Sequence, residues 1–187
     1  METKSIGFIG GGRITRIFLT AFENASIALN QVTVFDPQET VLNALKTKFR
    51  GITVTSENPA AVAGAEMVIL AIHPPAIMET LAGIRDFLKH DSILISLAPK
   101  LTIQKMSDAL GGFSNIVRIN PSASSIINKG LNPVCFSPSM AEDKKTALIT
   151  LMKPLGSLPE VAEPKIEAYA IISAMGHTYF WPQIQKL

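Results

Sequence analysis

Apolar positions along the chain gather into short continuous runs, separated by stretches with helical spacing. Residues 6–9 (Ile-Gly-Phe-Ile) form one run, and 66–72 (Glu-Met-Val-Ile-Leu-Ala-Ile) form a longer one. Such runs suit strands buried on both faces of a parallel sheet. Residues 31–35 alternate as a second strand, and 52–54 follow Gly51 as a short third. Residues 92–97 and 115–119 repeat the apolar-run pattern, 133–137 adds a seventh strand, and 156–161 is a last strand-like piece. Between them the period becomes helical. A helix is predicted after the glycines at 10–12, running to about Glu23. Residues 37–49 carry Val41, Leu42 and Leu45 on one face, and Asn58-Pro59 open a short helix ending near Gly64. Residues 75–88 space Ile77, Leu81, Ile84 and Leu88 helically. Thr102 caps a helix over 103–110 that Gly111-Gly112 stops, and 140–152 is another. Strand–helix alternation with short loops predicts an α/β fold: a doubly wound, mostly parallel sheet with helices on both faces.

From Glu163 the pattern changes. Pro164-Lys165-Ile166 opens a long helical stretch with Ile166, Tyr169, Ile172, Met175, Tyr179 and Phe180 on one side. Gly176 weakens it, and Pro182 is expected to kink it. Two units follow: residues 1–162 as the sheet domain, and 163–187 as the start of a helical dimerisation or substrate domain. An apolar stripe needs cover. Either a partner chain supplies it, as a homodimer or larger homo-oligomer, or the natural protein continues beyond Leu187.

Composition narrows the classes. The 187 residues are 47% hydrophobic and 17% charged, which fits a globular protein with a large core. Net charge is only +2 with no basic run, so no nucleic-acid partner is expected. No run reaches a membrane span and no basic-then-apolar leader precedes the first strand, so the expected location is the cytoplasm. The lone Cys135 lies in an apolar run and reads as a buried thiol. His73, His90 and His177 lie far apart without metal-ligand spacing, so no metal site is expected.

The chemistry concentrates in residues 4–18, where a strand runs into Gly10-Gly11-Gly12 and then a helix. Strand, Gly-rich turn and helix in that order open a Rossmann-type dinucleotide-binding unit. Gly10 makes the tight turn. Gly12 lets the backbone approach a pyrophosphate, which free N–H groups at a helix start favour. The third glycine of that fingerprint is Thr15 here; its bulk is expected to hold the helix slightly further off. Asp36 ends the second strand, where a carboxylate can accept from the adenosine ribose and repel the 2′-phosphate of NADP. That leans toward NAD, with NADP left open. Asp36-Pro37-Gln38-Glu39 is equally a helix start, with Asp36 as N-cap and Pro37 at the first helical position. Further carboxyl-edge loops are His73-Pro74-Pro75, Ala98-Pro99-Lys100 and Asn120-Pro121-Ser122, the last opening an irregular stretch to Gly130. Open α/β sheets bind ligands at that edge.

Four motifs together resemble the pyrroline-5-carboxylate reductase family: Gly7-Phe8-Ile9-Gly10-Gly11-Gly12, Ala71-Ile72-His73-Pro74, Ile95-Ser96-Leu97-Ala98 and Val117-Arg118-Ile119-Asn120-Pro121. Ser173-Ala174-Met175-Gly176-His177-Thr178-Tyr179 is similar to its substrate-loop motif, Ser-Gly-Ser-Gly-Pro-Ala-Tyr. The resemblance runs through the whole chain. It implies that the turn of Gly10, Gly11 and Gly12, with Arg13 and Ile14, cradles the pyrophosphate. It implies that Ile72, His73 and Pro74 flank a cofactor ribose and that Ala98 lies near the nicotinamide. Asn120, Pro121, Ser122, Gly176 and His177 would then face a small-molecule substrate. The implied reaction is hydride transfer from NAD(P)H to the C=N bond of 1-pyrroline-5-carboxylate, giving proline; no catalytic side chain is assigned. The sequence departs from the family at His73 (usually Lys), Pro99-Lys100 (Ala-Gly), Asn120-Pro121-Ser122 (Met-Pro-Asn) and Gly176-His177 (Gly-Pro). Two alternatives stand beside it. One is a nucleotide-binding protein without turnover. The other is a hydroxyacid dehydrogenase, whose catalytic lysine has Lys129 as its only nearby candidate.

Overall fold

A computed structural model describes residues 4–186, apart from the side chains of 174–178 and 184. The chain begins β1 (Ile6–Ile9), α1 (Arg13–Asn24), β2 (Val32–Phe35), α2 (Glu39–Lys48), β3 (Thr53–Thr55), α3 (Ala60–Ala63), β4 (Met67–Leu70) and α4 (Pro74–Ile84). It continues β5 (Ile93–Ser96), α5 (Ile103–Ala109), β6 (Ile116–Ile119), β7 (Gly130–Leu131), β8 (Val134–Phe136), α6 (Glu142–Met152) and β9 (Gly156–Ser157). It ends α7 (Glu163–Ala170), a π-helical turn (Ile171–Met175) and α8 (Gly176–Ile184).

The main sheet has seven strands in the order β3-β2-β1-β4-β5-β6-β8. The first six are parallel, and β8 joins β6 antiparallel. Alternate residues of each central strand enter opposite cores. Phe8, Ile69, Ile95 and Val117 pack against α1 and α6. Ile9, Leu70, Leu94 and Ile116 pack against α4 and α5. Two buried faces explain why the central strands read as unbroken apolar runs rather than as alternation. The α1 face is pinned by three aromatic rings: Phe18 meets Phe8 and Phe22 edge-on, at centroid distances of 6.2 and 6.4 Å. On the other face the α3 backbone lies so close to β1 that any side chain at Gly7 would meet the Val62 carbonyl.

The ends of the chain depart from expectation. The expected last strand over 156–161 is only a two-residue pairing of β9 with β7, plus a bridge from Val134 to Glu160. The stretch after Asn120 is not wholly irregular, because residues Ala123–Ile127 form a 3₁₀ turn. The buried Asn132 organises it. Its carbonyl oxygen accepts from the Ser122 N–H (2.8 Å) and the Ser125 hydroxyl (3.0 Å), and its amide donates to the Leu155 carbonyl (3.2 Å).

Pro182, where a kink is expected, lies inside α8. The irregularity is the π turn, which inserts a residue and shifts the phase of the face. Ile166 is buried on the sheet in the second core, while Ile172, Tyr179 and Phe180 are exposed. Of the expected stripe, Ile166 is buried and Tyr169 half-buried, and Met175's side chain lies outside the described residues. No helix among the described residues is long and apolar enough to cross a membrane.

The three-ring contact makes a quantitative expectation. Phe18→Ala should lower unfolding free energy by about 3–5 kcal/mol, as deletion of a fully buried aromatic side chain does. Urea denaturation followed by circular dichroism measures it, and a loss under about 1 kcal/mol would contradict this packing.

Candidate functional site

Parallel pairing of β1, β4, β5 and β6 brings their carboxyl ends to one edge. Each strand feeds a loop carrying expected site residues: Gly10–Gly12, Ile72–Pro74, Ala98 and Asn120–Ser122. The chain leaves β1 toward β2 and leaves β4 toward β5. The order of strands reverses between them, and a crevice opens there in folds of this kind.

The three glycines do different things. Gly10 has φ +104, and a Cβ on it would sit 2.5 Å from the Ala71 carbonyl oxygen. Its N–H donates to the Phe35 carbonyl at 2.8 Å. A Cβ on Gly11 would press on the ends of Leu45 and Val41, both at 2.9 Å. The Gly11 N–H donates to Asp36 Oδ2 at 2.8 Å. Both are fixed by the protein's own packing and hydrogen bonds, so they act on the site by shape. At Gly12 a Cβ would meet nothing within 4 Å. Gly12 is the exposed N-cap of α1, and no side chain caps that helix. The amides of its first turn, including Arg13 and Ile14, have no partner within the helix. Their dipole favours an anion there. A free cradle beside uncapped amides fits the pyrophosphate of a dinucleotide.

Thr15, in place of the third glycine, is fully buried, and its hydroxyl donates to the Gly10 carbonyl. The substitution ties the helix to the turn by a hydrogen bond.

Asp36 is half-buried and bonded through both carboxylate oxygens: Oδ2 accepts from Gly11, Oδ1 from the Gln38 N–H at 2.9 Å. It is not the helix N-cap. Gln38 holds that position and α2 starts at Glu39 rather than Pro37, because the Asp36 carboxylate closes a turn two residues long instead. The carboxylate is thereby held against the glycine turn.

His73 is the N-cap of α4, exposed, with Pro74 opening the helix. Ile72 and Pro74 border it at the β4 edge. Ala98 is buried one residue beyond Leu97, and its N–H donates to Ser96 Oγ at 3.3 Å. Asn120 donates through Nδ2 to Ser173 Oγ at 3.4 Å, so the Asn120–Ser122 loop meets the π turn. Gly176 opens α8, while the side-chain surroundings of Gly176 and His177 lie outside the described residues. Lys129 is exposed on the loop before β7. Cys135 is buried, and burial pushes its thiol up from the ordinary value, against nucleophilic use.

The motifs gave Arg118 no role. It is only 2% exposed, on the same face of β6 as Ile116. Nη1 pairs with Glu163 Oε1 at 3.1 Å and Nη2 with Glu167 Oε1. The signal was present in sequence: one arginine inside an apolar strand, and two glutamates four residues apart on the next helix.

Residues 5–100 match the family model described as NADP oxidoreductase, coenzyme F420-dependent. The chain belongs to this family. Similar proteins include pyrroline-5-carboxylate reductases from Methanosarcina acetivorans (23% identical, covering all of this chain and 69% of that protein) and Escherichia coli (24% identical, 98% and 68%). Among solved structures, a pyrroline-5-carboxylate reductase from Coxiella burnetii superposes with a TM-score of 0.89 at 27% identity, over all of this chain and 69% of that one. A Plasmodium falciparum pyrroline carboxylate reductase with NADP bound gives 0.84 at 21%, over all of this chain and 68% of that one. The resemblance seen in the motifs therefore holds along the chain. The protein is an NAD(P)-dependent oxidoreductase of the pyrroline-5-carboxylate reductase-like type.

Gly12 separates a ligand's needs from the fold's needs. Gly12→Ala should lower the melting temperature by no more than about 4 °C, since the Cβ meets nothing, the backbone is extended and alanine at an N-cap costs about 1 kcal/mol. It should weaken NADH binding at least about tenfold, or roughly 1.4 kcal/mol. Thermal melts and NADH fluorescence titration check both, and unchanged affinity would remove Gly12 from the cradle.

Proposed function

We propose that this protein reduces the C=N bond of 1-pyrroline-5-carboxylate to give proline, with NADH as the preferred cofactor. The observation that carries the reading is the common edge. The Gly12 cradle, the fixed Asp36 carboxylate, Ala98 and the Asn120–Ser173 contact all open on the carboxyl ends of adjacent strands.

Gly12, Arg13 and Ile14 offer backbone amides to the pyrophosphate, and Ile72, His73 and Pro74 border the ribose. Bound reduced nicotinamide supplies the hydride. The chain's share is orientation: Ala98 beside the nicotinamide, and Asn120, Pro121 and Ser122 with Gly176 and His177 around the substrate. The imine carbon gains the hydride and the nitrogen gains a proton, so the product is a saturated ring amine. No strong acid–base pair is required of the protein.

Asp36 supports NADH over NADPH. Its charge is fixed by two backbone N–H groups, so it cannot swing away from a 2′-phosphate without breaking both bonds. Burying a phosphate against a held carboxylate costs more than a hydroxyl that can donate to it. The exposed Ile171, Ile172, Tyr179, Phe180 and Trp181 support a homodimer formed through the helical segment. The unit boundary near 162 goes with that reading.

Two measurements test this. Purified protein should oxidise NADH only when 1-pyrroline-5-carboxylate is present, with proline as product; saturable NADH binding without turnover would favour the non-catalytic alternative. Asp36→Asn should shift the NADH-to-NADPH affinity ratio toward NADPH by about tenfold or more, as removal of one facing charge does. An unchanged ratio would leave Asp36 as a structural turn residue only.

A further inference from the structure

Arg118 does more than close an ion pair. Each of its carboxylate partners uses the same oxygen twice. Glu163 Oε1 accepts from Arg118 and also from the Ile103 N–H, at 2.7 Å. Glu167 Oε1 accepts from Arg118 and also from the Lys100 N–H, at 2.8 Å. Lys100 has φ +62, in the left-handed region a lysine seldom adopts, so its turn is held by what it bonds to. Both carboxylates therefore grip the ends of the segment that runs from Ala98 to the start of α5. That segment carries no other tie to α7 among the side-chain bonds of the described residues.

The same arginine sits two residues before Asn120 in the chain. Glu163 and Glu167 lie one helical turn apart on α7, and α7 runs into the π turn that carries Ser173. Ser173 Oγ accepts from Asn120 and donates to the Tyr169 carbonyl at 2.7 Å. One strand end thus holds α7 through Arg118 and the π turn that continues it through Asn120. The Ala98 loop hangs from the first, and the Asn120–Ser122 loop from the second.

We infer that Arg118, Glu163 and Glu167 form a positioning clamp that fixes the Ala98 loop against the substrate-side loop, setting the distance between the nicotinamide and the substrate. The inference rests on the proposed reductase reading. None of the three needs to touch substrate or cofactor. Arginine suits the role because its planar fork reaches two carboxylates at once, which an ammonium does not do with the same geometry. Burial pushes the pKa of Glu167's carboxyl up, but the Arg118 and Lys100 hydrogen bonds and their charges outweigh it and hold that pKa below its ordinary value. Glu167 therefore stays ionised, and the clamp closed, at neutral pH.

The test compares Glu167→Ala and Glu167→Gln with the unsubstituted protein. The alanine frees the Lys100 N–H, while the glutamine keeps an acceptor oxygen. Three readouts are taken: NADH affinity, the emission of bound NADH, and the split of kcat from KM with 1-pyrroline-5-carboxylate. The pyrophosphate end of the site is untouched, so NADH Kd should change by less than about threefold in both variants. In Glu167→Ala the bound nicotinamide should lose its emission shift, the Lys100 amide should exchange faster, and kcat should fall about tenfold or more with KM for NADH little changed. Glu167→Gln should recover most of each. A Glu167→Ala protein that keeps both the emission shift and kcat within about twofold overturns the clamp. If that variant does not fold, the glutamine variant decides: it lacks the charge but keeps the acceptor, and a full loss of the emission shift in it overturns the positioning by hydrogen bond. An unsubstituted protein that shifts NADH emission but turns over no pyrroline-5-carboxylate overturns the substrate reading alone, since the emission and exchange readouts still judge the clamp. One that binds no NADH overturns both.

Glu167 also fixes a pH dependence. A carboxyl held below its ordinary value stabilises the fold above that value and loses the contribution as pH falls through its depressed one. The melting-temperature gap between the unsubstituted protein and Glu167→Gln should therefore be present at neutral pH and close in acid below the ordinary carboxylate range. A gap that does not depend on pH would show that the Glu167 charge is not what stabilises.

Discussion

No side chain fits at the end of the first strand. At Gly10 the backbone turns with φ +104 and lies against the Ala71 carbonyl of the neighbouring strand end. That close approach is possible only because β1 and β4 are adjacent while their chains depart to opposite sides of the sheet. α1 carries Ile17 and Phe18 into one core, and α4 carries Ile77 and Leu81 into the other. The two helices cannot meet above the strands, so the edge between them stays open. The crevice is a product of strand order, and the glycine keeps it from being filled by the protein itself.

Around that crevice the polar groups divide into those already used and those left over. The amides of Gly10 and Gly11 are bonded to Phe35 and Asp36, and the Thr15 hydroxyl to Gly10. These bonds make a rigid rim. What remains is the uncapped first turn of α1 at Gly12, together with a carboxylate that two amides hold in place. Pre-fixed groups lose little freedom when a ligand arrives, which is why such rims bind well. The departure at Thr15 is instructive here. A β-branched residue at a packing position reads as a steric loss, yet its hydroxyl converts the same position into a brace for the turn.

Much of this was legible from the sequence, for a plain reason. Strands buried on both faces must be apolar throughout, so β1, β4, β5 and β6 announce themselves, and the loops after them follow. The antiparallel direction of β8 was not legible, because residues 133–136 are apolar whichever way they run. Nor was the π turn: Ile171 to Met175 has helical composition, and nothing in those residues marks an inserted one. Asp36 was legible as an acid at a strand end, but its double hydrogen bond depends on where Gly11 and Gln38 lie in space. Asn132 carried no motif at all, since an asparagine in a loop gives no sign that it is buried and threefold bonded.

Arg118 was the most informative residue to overlook. A buried ion pair is a poor source of stability, because desolvating the charges offsets most of their attraction, and apolar replacements of similar volume often fold as well or better. Here the balance is weaker still: Arg118 Nε is buried without a partner among the described residues. An apolar residue of similar volume would fill that space without the cost. What it could not do is hold two carboxylates whose same oxygens take the backbone of Lys100 and Ile103. The arrangement is intelligible as geometry purchased with stability, since a greasy contact would let α7 slide along β6 and a pair of shared carboxylates does not. The charge sits where one strand end, one helix and one carboxyl-edge loop must keep a common register.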